Sequence, residues 1–304
     1  MNGIVVVNKS ADITSHQVVQ EARKLFPGVR VGHSGTLDPM ATGILPVCLG
    51  KATRVAEYVM ELPKTYRAGI ALGENTDTED RTGEVLEKFS VPAYERNELE
   101  DILRTFVGKI KQTPPAYSAV KYRGKPLYHW TRQGRDVPRQ DRTAWIYQLD
   151  LLEYNPRQKP HLLIEVKCSR GTYIRTLAVD IGKAAGCGGH LYSLKRTAVG
   201  PMNVDNALSL TKIKELLAAG RYNRVVMPMD IALRQFSELV LAQDQISYLK
   251  NGRAVVLSRD AAPEKLSAEL PVRIYDQNGY FRALARLDQL DSGIKLKTLK
   301  FLSD

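Results

Sequence analysis

The chain is poor in cysteine, in acidic side chains and in long apolar runs, and each shortage closes off a class of function. Only Cys48, Cys168 and Cys187 occur among the 304 residues. They are odd in number and widely spaced, with no CxxC pair or His/Cys cluster, so neither a disulfide framework nor a zinc site is indicated. They read as small buried apolar residues of a reducing compartment. No stretch approaches the roughly 18 apolar residues of a membrane-spanning helix. The early apolar run, Ile4 to Val7, is shorter than the ~7–15 residues of a signal-peptide core. The expectation is a cytoplasmic protein that does not use a membrane.

Acidic residues number 33 against 44 Lys and Arg, giving a net charge of +11 and a pI near 9.5. That surplus suits a polyanionic partner such as nucleic acid, although a soluble basic protein of any function would carry it equally well. The 43% hydrophobic and 25% charged residues are ordinary for a folded chain. The length suffices for one large domain and a small one.

Periodicity outlines the elements. Gly3 to Val7 reads as a short buried strand. Thr14 and Gln17 have capping-box spacing ahead of a helix with Val18, Val19, Ala22, Leu25 and Phe26 on one stripe, stopped by Pro27-Gly28. Apolar Ile44 to Cys48 follows a Gly/Pro-punctuated loop. Tyr66 to Leu72 alternates as a strand, and Tyr94 to Gly108 as an amphipathic helix. Strands are expected at Ile146–Leu152 and Leu162–Cys168, and a helix from Tyr173 to Ala185. Beyond residue 230 short strand-like pieces take over, the clearest a hairpin of Val272–Tyr275 and Tyr280–Ala285. The reading is an α+β domain over 1–236, then a small, mostly β domain over 237–304.

Between Ala22 and Ala56 one acid, Asp38, stands among five bases: Arg23, Lys24, Arg30, Lys51 and Arg54. Its setting is Gly32-His33-Ser34-Gly35-Thr36-Leu37-Asp38-Pro39, a shaped loop able to bring backbone close to a ligand. Nearby cations predict a lowered pKa and an ionised carboxylate, which suits a nucleophile. An Asp before Pro is also an ordinary turn residue, and local chemistry alone favours that reading. A metal site is not indicated, since the segment has no second carboxylate and His33 with Asp38 is too thin a ligand set.

The loop, continuing through Ala41-Thr42-Gly43, resembles the central motif of the TruB-type tRNA pseudouridine synthases. Further matches follow in chain order: Asn8-Lys9 with Thr14-Ser15; Lys64 to Arg67; Pro115 to Lys121; Arg170 to Arg175; and His190 to Arg196. Several short motifs in the right order are far more specific than any one of them. The resemblance implies isomerisation of the T-loop uridine of tRNA (position 55 in tRNA numbering) to pseudouridine, by base flipping and attack of Asp38. It needs no cofactor, metal, guide RNA or protein partner, and implies a monomer. Tyr66 would stack on the base and assist proton removal, while Arg175 would pair with Asp38. Tyr173 and Leu194 would line the pocket, His33 would help hold the flipped nucleotide, and Lys9 would support the loop. In ordinary proteins these residues are sheet packing, surface charge and core. The family usually places Pro after the motif lysine and Gly two residues later, where this chain has Ser10 and Asp12. Asp tolerates the left-handed backbone such a turn requires.

From Lys111 to Arg142 eight bases and two acids enclose Tyr117, Tyr122, Tyr128 and Trp130. Cations interleaved with aromatics suit an RNA backbone with unstacked bases. Tyr117, Lys121, Tyr122, Arg123, Trp130 and Arg132 are the candidate RNA contacts of this insertion, which in the family closes on the T-loop. Val272 to Ala285 resembles a PUA-like domain, which would bind tRNA towards the acceptor end. Two rivals stand beside the enzyme: a tRNA-folding chaperone with incidental catalysis, and the catalytic subunit of a guide-RNA particle.

Overall fold

The structure is a computed structural model that describes residues 1–157, 159–258, 269–291 and 293–303. β1 (Gly3–Lys9) is apolar because both its faces are covered, and its burial runs almost unbroken. Thr14 caps α1 (Ser15–Leu25), accepting from the Gln17 backbone while the Gln17 side chain returns to Thr14 N–H, the box that the spacing predicts. β2 (Val31–His33) and β3 (Thr42–Leu49) bracket the Asp38 loop. A 3-10 turn over Gly50–Val55 leads into α2 (Ala56–Glu61). Next come β4 (Lys64–Leu72) and a small hairpin of β5 (Glu74–Thr76) and β6 (Val85–Lys88).

The helix expected over 94–108 is shorter. α3 spans Arg96–Arg104, and Gly108 (φ +105°) already opens β7 (Gly108–Gln112). The stretch read as loop-rich carries a two-residue hairpin, β8 (Lys121–Tyr122) with β9 (Lys125–Pro126), then a single helical turn, α4 (Leu127–Thr131). β10 (Arg142–Asn155), β11 (His161–Cys168) and α5 (Ile174–Ala184) follow where periodicity placed them. β12 (Gly189–Val199), β13 (Met202–Asn203) and α6 (Leu210–Ala218) carry no clear pattern in the sequence.

The main sheet has nine strands in the order β1-β3-β12-β4-β11-β10-β7, with β2 beside β3 and β13 beside β12. Its neighbours are antiparallel except β3 and β12, which run parallel at Thr42 and Gly43 opposite Lys195 and Arg196. The sheet is thus mixed and largely antiparallel, within the α+β class the sequence suggests. α3 and α5 cover the β4–β11–β10 face, burying Ile70, Leu103, Ile164, Leu177 and Ile181 together. α1 and α6 cover one face of β1 and β3, through Val18, Ala22 and Ile213.

A second sheet, of β14 (Glu238–Leu241), β15 (Val255–Ser258), β16 (Val272–Asp276), β17 (Phe281–Leu290) and β18 (Gly293–Phe301), has the order β14-β16-β17-β18-β15. α7 (Gln243–Lys250) packs on it through Ile246 and Leu249. Leu284 and Leu302 join the cluster of Ile4, Val55 and Val59 in the first unit. Arg54 Nη1 donates to the Phe301 carbonyl (2.7 Å), and the Tyr275 hydroxyl to Asp230 Oδ2 (2.6 Å), so the sheets are joined by polar as well as apolar contacts.

Candidate active site

The Asp38 loop is pinned from three sides. Ser15, at the head of α1, donates to the Leu37 carbonyl and accepts from the Leu37 N–H (2.9 Å). Lys9, 1% exposed, donates its ammonium to the carbonyls of Ser10 (2.9 Å), Ile13 (2.7 Å) and Pro39 (2.9 Å). Burial lowers its pKa to about 8, against the opposing pull of Asp12 and Asp38. Asp12 takes the left-handed conformation (φ +63°), and its N–H reaches the Pro39 carbonyl (2.9 Å), so the turn forms without the family's glycine. The Ala41 N–H closes a turn on the Asp38 carbonyl (3.0 Å), so Asp38 does hold the turn that local chemistry assigns it.

Its side chain is free for something else. Arg175, in the first turn of α5, grips Asp38 as a fork, with Nε 3.0 Å from Oδ2 and Nη2 3.3 Å from Oδ1. Arg175 is 7% exposed, whereas 37% of the Asp38 side chain stays open to a ligand. α5 starts where it must: Gln112 donates to the Tyr173 carbonyl and accepts from its N–H (3.0 Å each), fixing the residue before the helix. The remaining Arg175 donors go to the Thr78 carbonyl (3.3 Å) and the Tyr117 carbonyl (3.0 Å), so the insertion reaches the site through its backbone.

The sequence predicts a depressed pKa at Asp38; the structure reverses the sign. Burial pushes the carboxyl up, Arg175 pulls it back, Asp80 pushes it up again, and Lys9 lowers it. Desolvation is the larger effect, and Arg175 is shared with a second acid. Its Nε also lies 3.9 Å from Oδ2 of Asp80, a buried acid held by the Thr82 N–H (2.9 Å) and by the hydroxyls of Thr78 (3.0 Å) and Thr82 (2.6 Å). Asp80 is invisible in the sequence, where it reads as part of an acidic turn.

Tyr66 lies directly across β4 and β12 from Arg196, close enough for the guanidinium to act on its phenol. Burial pushes the Tyr66 phenol up, Arg196 opposes this, and Asp38 is close enough to add to the rise. Burial likewise raises Tyr173, which stands near Arg142, Arg175 and Asp38. Leu194, 8% exposed, lines a cleft with Met40, Thr42 and Arg67 beside the loop. His33 is set slightly apart on β2, where burial, Arg196 and His16 lower its pKa. Asp38, Arg175, Tyr66, Tyr173 and Lys9 therefore converge.

Apart from the Tyr117 carbonyl, the insertion residues form a separate group. Arg123 lies over Tyr122 (5.5 Å to the ring centre) and Arg132 over Tyr128 (5.7 Å), while the Trp130 indole donates to the Tyr122 carbonyl (3.2 Å). Lys121, Arg123 and Arg132 are exposed. Among the described residues no group of three or more His, Cys, Asp or Glu is placed to hold a metal ion. None of their helices is long and apolar enough to cross a membrane.

Comparison with known proteins places the chain. Residues 23–174 match the N-terminal domain of the TruB family pseudouridylate synthases, and 175–234 the tRNA pseudouridylate synthase B C-terminal domain. A tRNA pseudouridine synthase B of Francisella tularensis is 41% identical over 95% of this chain and 92% of that protein. Its counterpart in Francisella philomiragia is 40% identical over the same shares. Among solved structures, one of an H/ACA ribonucleoprotein bound to a substrate RNA containing 2'-deoxyuridine superposes with a TM-score of 0.75. It has 22% identity and covers 99% of this chain and 85% of that one, a likeness of fold.

Proposed function

Because the chain belongs to the TruB family of pseudouridylate synthases and makes pseudouridine in tRNA, we propose that its target is the T-loop uridine and its nucleophile Asp38. The observation that carries this is the Arg175 fork on a carboxylate that remains open on its other side. A bare carboxylate in a half-buried cleft would take up a proton; a forked arginine opposes that without blocking attack. The uridine leaves its stack to reach the site, with Tyr66, Tyr173 and Leu194 receiving the base. Asp38 then acts at or beside C1′, by displacement or by way of C2′ deprotonation, and the N1–C1′ bond breaks. The base turns and rejoins through C5. Nothing is oxidised and no group is donated, so the reaction needs no cofactor.

The cationic, aromatic insertion closes over the T-loop, and the second sheet, as a PUA-like domain over 237–304, contacts tRNA towards the acceptor end. The chain acts as a monomer without guide RNA or an obligatory partner. Tritium release from tRNA carrying C5-tritiated uridine tests the assignment. The parent should release it and Asp38→Asn should not. Equal release removes Asp38 from the mechanism, and none from the parent favours the folding-chaperone reading. Activity on an isolated T-arm hairpin tests independence from a guide RNA.

A further inference from the structure

At 1% exposure Arg196 is the bulkiest of the fully buried side chains. An arginine cannot shed its charge, and a buried one normally meets a carboxylate. Arg196 meets none in an ion pair among the described residues. Its Nε donates to the Ile44 carbonyl (2.7 Å) and its Nη2 to the Gly35 carbonyl (3.1 Å), both at the ends of the Asp38 loop. The charged groups near it are cations or can become so: Lys9 on β1, His33 on β2 and Lys64 on β4. Burial depresses Lys64 to about 8, and Arg196 pushes the same way.

A desolvated guanidinium with surplus charge costs stability, and two carbonyl dipoles offset that only in part. Its directly opposed cross-strand neighbour is Tyr66, whose phenol feels the charge of the guanidinium. Such opposed residues share a face and stand with Cβ atoms ~5 Å apart. The pairing is rigid, since the Arg196 backbone packs against Gly43, where a Cβ would fall 2.2 Å from its carbonyl oxygen.

We propose that Arg196 is a positioning residue for the isomerisation, aiming the Tyr66 hydroxyl and stabilising its anionic form so that Tyr66 can take the C5 proton. The inference rests on the reading of Tyr66 as a residue of the base pocket. Once C5 is joined to C1′, the C5–H bond breaks and its electron pair forms the C5=C6 double bond. The N1=C6 pair moves to N1, which takes a proton from water, and the C5 proton ends on the Tyr66 oxygen. That transfer requires a tyrosinate, which burial disfavours and an adjacent fixed cation favours. The groups facing Tyr66 are Arg196 from β12, Cys168 from β11 and Asp38 from its loop. Asp38 and burial raise the phenol, and Arg196 lowers it.

Two measurements on the full chain test this. With ring-labelled tyrosine, NMR titration should show Tyr66 losing its proton at higher pH in Arg196→Met than in the parent, by about one unit or more, with Arg196→Lys in between. In single turnover on tRNA, Arg196→Met should slow conversion about tenfold or more and enlarge the isotope effect from C5-deuterated uridine. In a Tyr66→Phe background the same substitution should cost no further rate. An unmoved Tyr66 titration, or equal slowing with and without the Tyr66 hydroxyl, overturns the proposal and leaves Arg196 a structural brace. If Tyr66→Phe is as fast as the parent, the role of Tyr66 itself fails. Should Arg196→Met not fold, Arg196→Lys, which keeps the charge but loses the fork, is judged by the same cycle.

Discussion

Arg175 Nε stands 3.0 Å from Asp38 Oδ2, and that fork is the centre of the site. The same guanidinium leans on Asp80, 3.9 Å away and 5% exposed. Carboxylates on two sides hold the arginine, whose other acceptors are neutral carbonyls.

Asp80→Asn keeps the size of the side chain and an acceptor for Thr82 while removing the charge. Single-turnover conversion should fall about tenfold or more, roughly 1.4 kcal/mol of barrier, with little change in KM. A change in KM alone would mean that Asp80 serves tRNA binding instead.

The raised pKa of Asp38 fixes the direction of the pH response. If Asp38 acts as a carboxylate, the rate should fall on acidification at a higher pH than for an aspartate of ordinary value 3.8. Arg175→Met should move that acid limb higher still. The folded state holds this proton more tightly than the unfolded chain does. Asp38 therefore costs stability above its ordinary value, and the cost is relieved as pH falls through the raised one. A pH–rate profile of parent and variant under single turnover measures the limb.

Gly43 has φ +96°, and a Cβ there would meet the Arg196 carbonyl oxygen at 2.2 Å. Gly43→Ala should lose at least about 2 kcal/mol of stability, from strain and from separation of the parallel strands β3 and β12. A lower urea midpoint at unchanged slope is the expected result.

If the insertion contacts phosphates, tRNA affinity should fall steeply with salt. Arg132→Ala, which also removes the cation lying over Tyr128, should reduce the slope of log affinity against log salt by about one. Filter binding over a range of salt concentrations gives that slope, and a flat response in the parent argues against phosphate contacts.

Much of this was legible in residue order. The Thr14 and Gln17 box, the α1 stripe and the alternation in β4 are local signals, and local physics honours them. β12 was not legible, because a bulge between Leu191 and Ser193 breaks the alternation and a buried arginine occupies an inward position. Asp80 was hidden for a related reason. Nothing in Asp77-Thr78-Glu79-Asp80 distinguishes an acid folded under α5 from one in water. The sign at Asp38 was misjudged because counting nearby cations measures attraction and leaves out desolvation. α3 ends at Arg104, and Gly108, read as the helix end, is the first residue of β7.

The carbonyl of Tyr117 accepts a hydrogen bond from Arg175 Nη2. The insertion is thus wired by its backbone to the cation that grips Asp38. If an RNA seats under that segment, any shift it imposes on the Tyr117 backbone reaches the Asp38 carboxylate through a single guanidinium.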